Sequence, residues 1–158
     1  MNWYELLNRR WHDLGLHSTD GGCDEEVILA FESRNSIQMP TELRLYFQHV
    51  NGMSMRGGHD VDDNGFSFLP LARVESVAVF SSRMGWEVGP GIGHETAFVF
   101  VDYLQWCGAY AFETNPQNAG TIYLLGYEKP KLVASSMSEF AAMYLADDPL
   151  LYQPNEAA

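Results

Sequence analysis

The sequence predicts an α+β fold: a mostly antiparallel sheet of about four to six strands, with N-terminal helices and a C-terminal helix packed against it. Three observations predict it. A proline-led amphipathic segment, Pro40 to Val50, stops at Asn51-Gly52. Three runs rich in β-branched and aromatic residues, 97–103, 108–113 and 121–125, follow one another across turn-forming breaks, as in an antiparallel meander. A last apolar-periodic stretch carrying Phe140, Met143, Tyr144 and Leu145 runs into Asp147-Asp148-Pro149.

The elements follow in order. Leu6, Leu7, Trp11 and Leu14 recur at helical spacing between Trp3 and Leu16, ended by Gly15 and the Ser18 to Gly22 cluster. Asp24 is placed to cap a second helix, with Glu25 and Glu26 in the first turn where negative charge suits the dipole. That helix presents Val27, Ile28 and Phe31, with Leu29 and Ala30 as further candidates, and fades near Asn35-Ser36. In the third helix Pro40 takes the first helical position, where its missing N–H is no loss, and Leu43, Tyr46, Phe47 and Val50 form one apolar face. Asn51-Gly52 supplies the left-handed closure.

Met53 to Asn64 reads as a mobile polar surface loop, and Phe66 to Leu69 as a short strand. Leu71 to Ser82 suggests a further helix, although Val79 makes its periodicity ambiguous, and 85–95 is glycine-rich and irregular. After the three strand runs, Leu132-Val133-Ala134 suits an edge strand, and Ser136 or Ser138 caps the closing helix. One domain is expected over 1–152, with a frayed tail at 153–158.

Nine Lys and Arg against 21 Asp and Glu leave a net charge of -12. Such a field repels nucleic acid and anionic membrane and attracts basic partners; it also serves solubility. Apolar residues at 46% are enough for a core, which argues against disorder. The N-terminus has neither a basic n-region nor an apolar h-region, so a soluble cytoplasmic protein is expected. Cys23 and Cys107 stand alone, outside any C-x-x-C pair, and are expected as separate reduced thiols.

The motifs of chemistry are incomplete. Asp60-Val61-Asp62-Asp63-Asn64-Gly65 matches the first half of a calcium-binding EF-hand loop, but the closing bidentate Glu is replaced by Leu71. Gly89-Pro90-Gly91-Ile92-Gly93 has the glycines of a phosphate loop without the flanking strand, helix or lysine. His12, His17, His49, His59 and His94 form no metal-ligand spacing, and G-x-S-x-G is absent. No catalytic residue, metal or cofactor is therefore assigned. Trp86, Tyr103 and Trp106 are either core or interface anchors.

Several of these features together resemble the SUKH superfamily, which includes bacterial relatives of the yeast Smi/Knr cell-wall regulator. They are a helix ending in Phe31-Glu32, the proline-led helix closing on Asn51-Gly52, Phe66-Ser67-Phe68-Leu69-Pro70, strands through Phe98 to Asp102, Tyr110 to Glu113 and Ile122-Tyr123, and Ser138-Glu139-Phe140. The resemblance covers most of residues 1–146 and rests on order and spacing, since each motif alone is loose. It implies a binding protein rather than an enzyme. Many bacterial members are immunity proteins that neutralise polymorphic toxins, often nucleases. A cognate toxin with a basic surface is thus the expected partner, and a regulatory scaffold on a cell-envelope or signalling protein is the alternative. Neither nucleic acid nor membrane is an expected partner, and the oligomeric state stays open. The expected contact residues are Asp60, Asp62, Asp63, Glu87 and Glu95 as a charged rim, with Trp86, Tyr103 and Trp106 as anchors.

Overall fold

A computed structural model describes residues 1–16, 22–53 and 60–152. Three helices come first: α1 (Trp3–Asp13), α2 (Glu25–Asn35) and α3 (Thr41–His49). Glu5 accepts the Asn2 backbone N–H at 2.8 Å and so closes the start of α1. Leu7 and Trp11 of α1 are fully buried, whereas Leu6 and Leu14 lie on its exposed side. In α2 only Ile28 and Phe31 enter the core, and Val27 and Leu29 stay about half exposed. Arg44 of α3 joins the two helices, with Nη1 and Nη2 each 2.5 Å from Glu25 and Glu32. Glu32 also accepts the Met39 N–H at 2.6 Å, which fixes the α2–α3 connection.

Pro40 sits one position earlier than expected. Its ψ of 145° is extended, so it precedes α3 and caps it through its carbonyl, which accepts from Arg44 N at 2.9 Å. The apolar face of the helix is as expected, with Leu43, Tyr46, Phe47 and Val50 all buried. Asn51 and Gly52 take φ of 54° and 76°. A Cβ on Gly52 would lie 2.7 Å from the Leu69 and Phe68 carbonyl oxygens, so the closure also lets the backbone press against the first strand.

The sheet has six strands: β1 (Phe66–Phe68), β2 (Glu75–Ser76), β3 (Ala97–Tyr103), β4 (Gly108–Glu113), β5 (Ile122–Leu125) and β6 (Lys131–Ala134). All pairings are antiparallel in the order β1-β3-β4-β5-β6, and β2 pairs the other half of β3 on the β1 side. The stretch expected as one helix from Leu71 to Ser82 divides instead. Leu71–Arg73 is a single 3-10 turn, Glu75 and Ser76 pair with Val99 and Phe98, and α4 begins at Val77 and runs to Met84. Ser76 caps α4 by accepting Val79 N–H at 3.2 Å. The closing helix α5 (Met137–Ala146) is capped by Ser136, and Ser138 instead donates to Glu42 at 2.9 Å.

The two faces of the sheet carry different layers. Phe66, Phe68, Phe98, Phe100, Tyr110 and Phe112 point toward α1, α2, α3 and α5 and make the main core. Ala97, Val99, Ala109 and Ala111 face α4, whose Val77 and Phe80 close a smaller cluster. A register shift between Val99 and Val101 turns both Phe100 and Val101 to the main core, and cover on both faces leaves β3 buried almost continuously. Met53, expected at the start of the surface loop, is fully buried and donates to Phe68 O at 2.9 Å. Half of that loop (54–59) and the expected tail (153–158) lie outside the described residues. Among the described residues no helix is long and apolar enough to cross a membrane.

Candidate interaction surface

The acidic turn before β1 is organised around Asp62. Its Oδ1 accepts the Asn64 and Phe66 N–H groups at 2.9 and 2.8 Å, and its Oδ2 accepts the Tyr144 hydroxyl at 2.5 Å. Tyr144 in turn accepts Trp11 Nε1–H at 3.0 Å, so one buried carboxylate joins α1, α5 and the turn. Burial first, then the facing Asp62, holds the Tyr144 phenol well above its ordinary range. Asp62 is only 8% exposed, and both of its oxygens are occupied. A contact role for it, expected from the run of aspartates, is at odds with this geometry; Asp63 is exposed and Asp60 half-buried. The inward turn of Asp62 also removes the middle ligand of the EF-hand-like half-loop. Among the described residues no group of three His, Cys, Asp or Glu is placed to hold a metal ion.

The hairpin between β3 and β4 lies beside this turn, with Leu104 N–H donating to Gly65 O at 2.9 Å. Leu104, Gln105 and Trp106 all have left-handed φ, at 51°, 52° and 65°. Each such residue costs about 1 kcal/mol or more, so the conformation needs support. Asp102 provides it: its buried Oδ1 accepts Trp106 N–H at 2.6 Å. Trp106 thereby seats its ring 5.3 Å from Phe80 of α4, and Trp86, from the glycine-rich stretch after α4, meets the same Phe80 edge-on at 4.9 Å. Both indoles remain partly exposed.

The structure therefore joins Trp86 and Trp106 through Phe80, with exposed Glu87 next to Trp86 and Asp63 close to the hairpin through the Gly65–Leu104 bond. Besides the inward Asp62 and the half-buried Asp60, it does not bring in Tyr103 or Glu95. Tyr103 packs on the main-core side against Phe66 and Tyr152 at 5.0 and 5.7 Å, and burial, then neighbouring Tyr127, raises the pKa of its phenol. Glu95 is exposed before the first residue of β3, about 20 Å of extended strand from the hairpin. Phe80 and Asp102 build the site and were not singled out from the sequence. An apolar residue in an expected helix and an aspartate in a strand carry no local signal of what they will touch.

Fold and surface together define an α+β protein whose candidate site consists of aromatic faces edged by carboxylates. The chain belongs to the SMI1 / KNR4 family (SUKH-1), whose model matches residues 22–143. That span runs from the start of α2 into α5 and contains the Asn51-Gly52 closure and all six strands. A comparison with curated proteins returned no match.

Proposed function

We propose that this chain is an immunity-type protein that binds and neutralises a cognate bacterial toxin, without catalysing a reaction itself. The observation that carries the reading is the pair of half-buried indoles on Phe80, Trp106 set by a strained hairpin and Trp86 followed directly by exposed Glu87, with exposed Asp63 in the turn that bonds to the hairpin. Tryptophans fixed on a packed support lose little freedom on binding, which suits them as anchors. Family membership supports a recognition role, and the net charge of -12 supports a basic partner. A toxin that grips phosphates carries cations at its active site. An acidic protein is steered toward such a site and, once seated, covers it against the polyanion.

The test is recovery of partners from the native organism with the tagged full chain, at low and high salt. The expected result is one basic protein that is toxic alone, harmless when co-expressed, and recovered less well at high salt. Reversing Asp63 and Glu87 to lysine is expected to slow association, and Trp86→Ala to weaken binding by about 2 kcal/mol. A partner that is an envelope or signalling protein without toxicity would replace this reading with a regulatory scaffold.

A further inference from the structure

Helix α2 is apolar on both of its faces. Ile28 and Phe31 enter the main core, while Val27, Leu29 and Ala30 are exposed on the outside. A helix apolar all round is ordinarily covered on both faces. Along its outer face lies a cleft of about 400 Å³, walled by Val27, Ala30 and Phe31 of the helix and by Leu71 and Ala72 of the 3-10 turn. The charges of α2 divide by side. Glu25 and Glu32, toward α3, both hold Arg44. Glu26 and Arg34 line the cleft instead, two helical turns and about 12 Å apart along the axis, with Ala30 midway between them. Both are exposed, and among the described residues neither has an ion-pair partner. Arg34 lies over the Phe31 ring at 5.7 Å, which steadies its guanidinium at the rim without engaging it with a carboxylate.

We propose that this face of α2 seats the α2 of a second copy of the chain, antiparallel about a two-fold axis at Ala30. Two-fold symmetry makes every contact reciprocal. Glu26 of each copy therefore meets Arg34 of the other, and two ion pairs close the ends of the contact. Ala30 meets itself at the crossing, where a small side chain lets the helices approach closely. Val27 of each copy reaches the Phe31 side of the other's cleft. A chain of net charge -12 repels its own copies, so self-association needs a local match of opposite charges. One acid and one base placed symmetrically about a small residue are that match, and a second copy supplies it. A helix of 11 residues is about 16 Å long, so the contact is at the small end of specific interfaces and the dimer exchanges with monomer. The surface goes beyond the proposed toxin-binding site. Helix α2 packs on the main-core face of the sheet and Phe80 in the α4 layer, so the dimer leaves the two indoles open.

The test is sedimentation velocity of the full chain from about 5 µM to about 500 µM, a range that covers small, reversible interfaces. The average mass is expected to rise with concentration toward that of a dimer. Glu26→Arg and Arg34→Glu are each expected to weaken the dimer about tenfold or more, because each sets like charges against one another. An equimolar mixture of the two variants is expected to recover association, since one copy then presents two cations to the two carboxylates of the other. That recovery also rules out misfolding as the cause of the loss. Ala30→Arg is expected to abolish the dimer, and Trp86→Ala, at the toxin-binding surface, to leave it unchanged. Glu26, Ala30 and Arg34 are all exposed, so circular dichroism should show the fold intact in these variants. A dimer indifferent to Ala30→Arg, or charge variants that stay apart when mixed, would overturn the proposal. So would a native chain monomeric throughout the range, which would assign this face to a helix of another protein.

Discussion

Tyr144 on the closing helix donates its hydroxyl to Asp62 Oδ2 at 2.5 Å, across 82 residues of sequence. A phenol and a carboxylate, both buried, are costly to leave alone and stabilising when paired, and Trp11 completes the set. Tyr144→Phe is expected to lower stability by about 1.5–3 kcal/mol, because it strands both the Asp62 oxygen and the Trp11 N–H. A double-mutant cycle with Asp62→Asn, read by urea unfolding, should show coupling of about 1 kcal/mol or more; additive losses would mean the three groups are not a unit. Asp63→Asn, by contrast, should leave the unfolding midpoint nearly unchanged.

Gly52→Ala tests the closure of α3. The new Cβ meets the Leu69 and Phe68 backbone at 2.7 Å, and the φ of 76° disfavours any side chain. A loss of about 2–4 kcal/mol is expected in urea titrations, combining left-handed strain with displacement of β1. Gly85→Ala, at φ of 69° with open space around it, should cost only the conformational part, about 1 kcal/mol.

Glu113 is 2% exposed, and its Oε1 accepts the Thr96 hydroxyl at 2.7 Å. Burial raises its pKa above the ordinary value of 4.5, against the lowering effect of the Thr96 bond and the Asn115 N–H. The fold thus tolerates the protonated form better. Its contribution is fully present below the ordinary value and is lost as pH rises through the raised one. Glu113→Gln should remove this component, so that the variant gains on the native chain as pH rises from about 4 to about 7. A difference independent of pH in urea midpoints would refute the assignment.

The two thiols should differ in reactivity. Burial, then Asp24, pushes the Cys23 thiol up to about 11, so at pH 8 only about one molecule in a thousand carries its thiolate. Cys107 is exposed in the hairpin. Iodoacetamide followed by mass spectrometry should label Cys107 first, by about tenfold or more in rate. Equal labelling would show that the α2–α3 side opens readily.

Much of the fold was legible because its causes are local. The α3 face, the Asn51-Gly52 stop and the strand runs depend on spacing and on backbone preferences that neighbouring residues set. The single helix expected from Leu71 failed for a non-local reason, since Glu75 and Ser76 leave the helical path to pair with β3. Of the residues expected at the site, Trp86 and Trp106 meet on Phe80, whereas Tyr103 faces the main core, Asp62 turns inward and Glu95 lies at the far end of β3.

By itself, then, the sequence determined the α+β class, the order of its elements, the acidic charge and the family resemblance. These follow from composition and periodicity, which act over a few residues. Only the tertiary structure decided that Asp62 turns inward to Tyr144 and that two indoles share Phe80. Each of those joins residues distant in the chain, and their proximity follows from how sheet and helices close on one another.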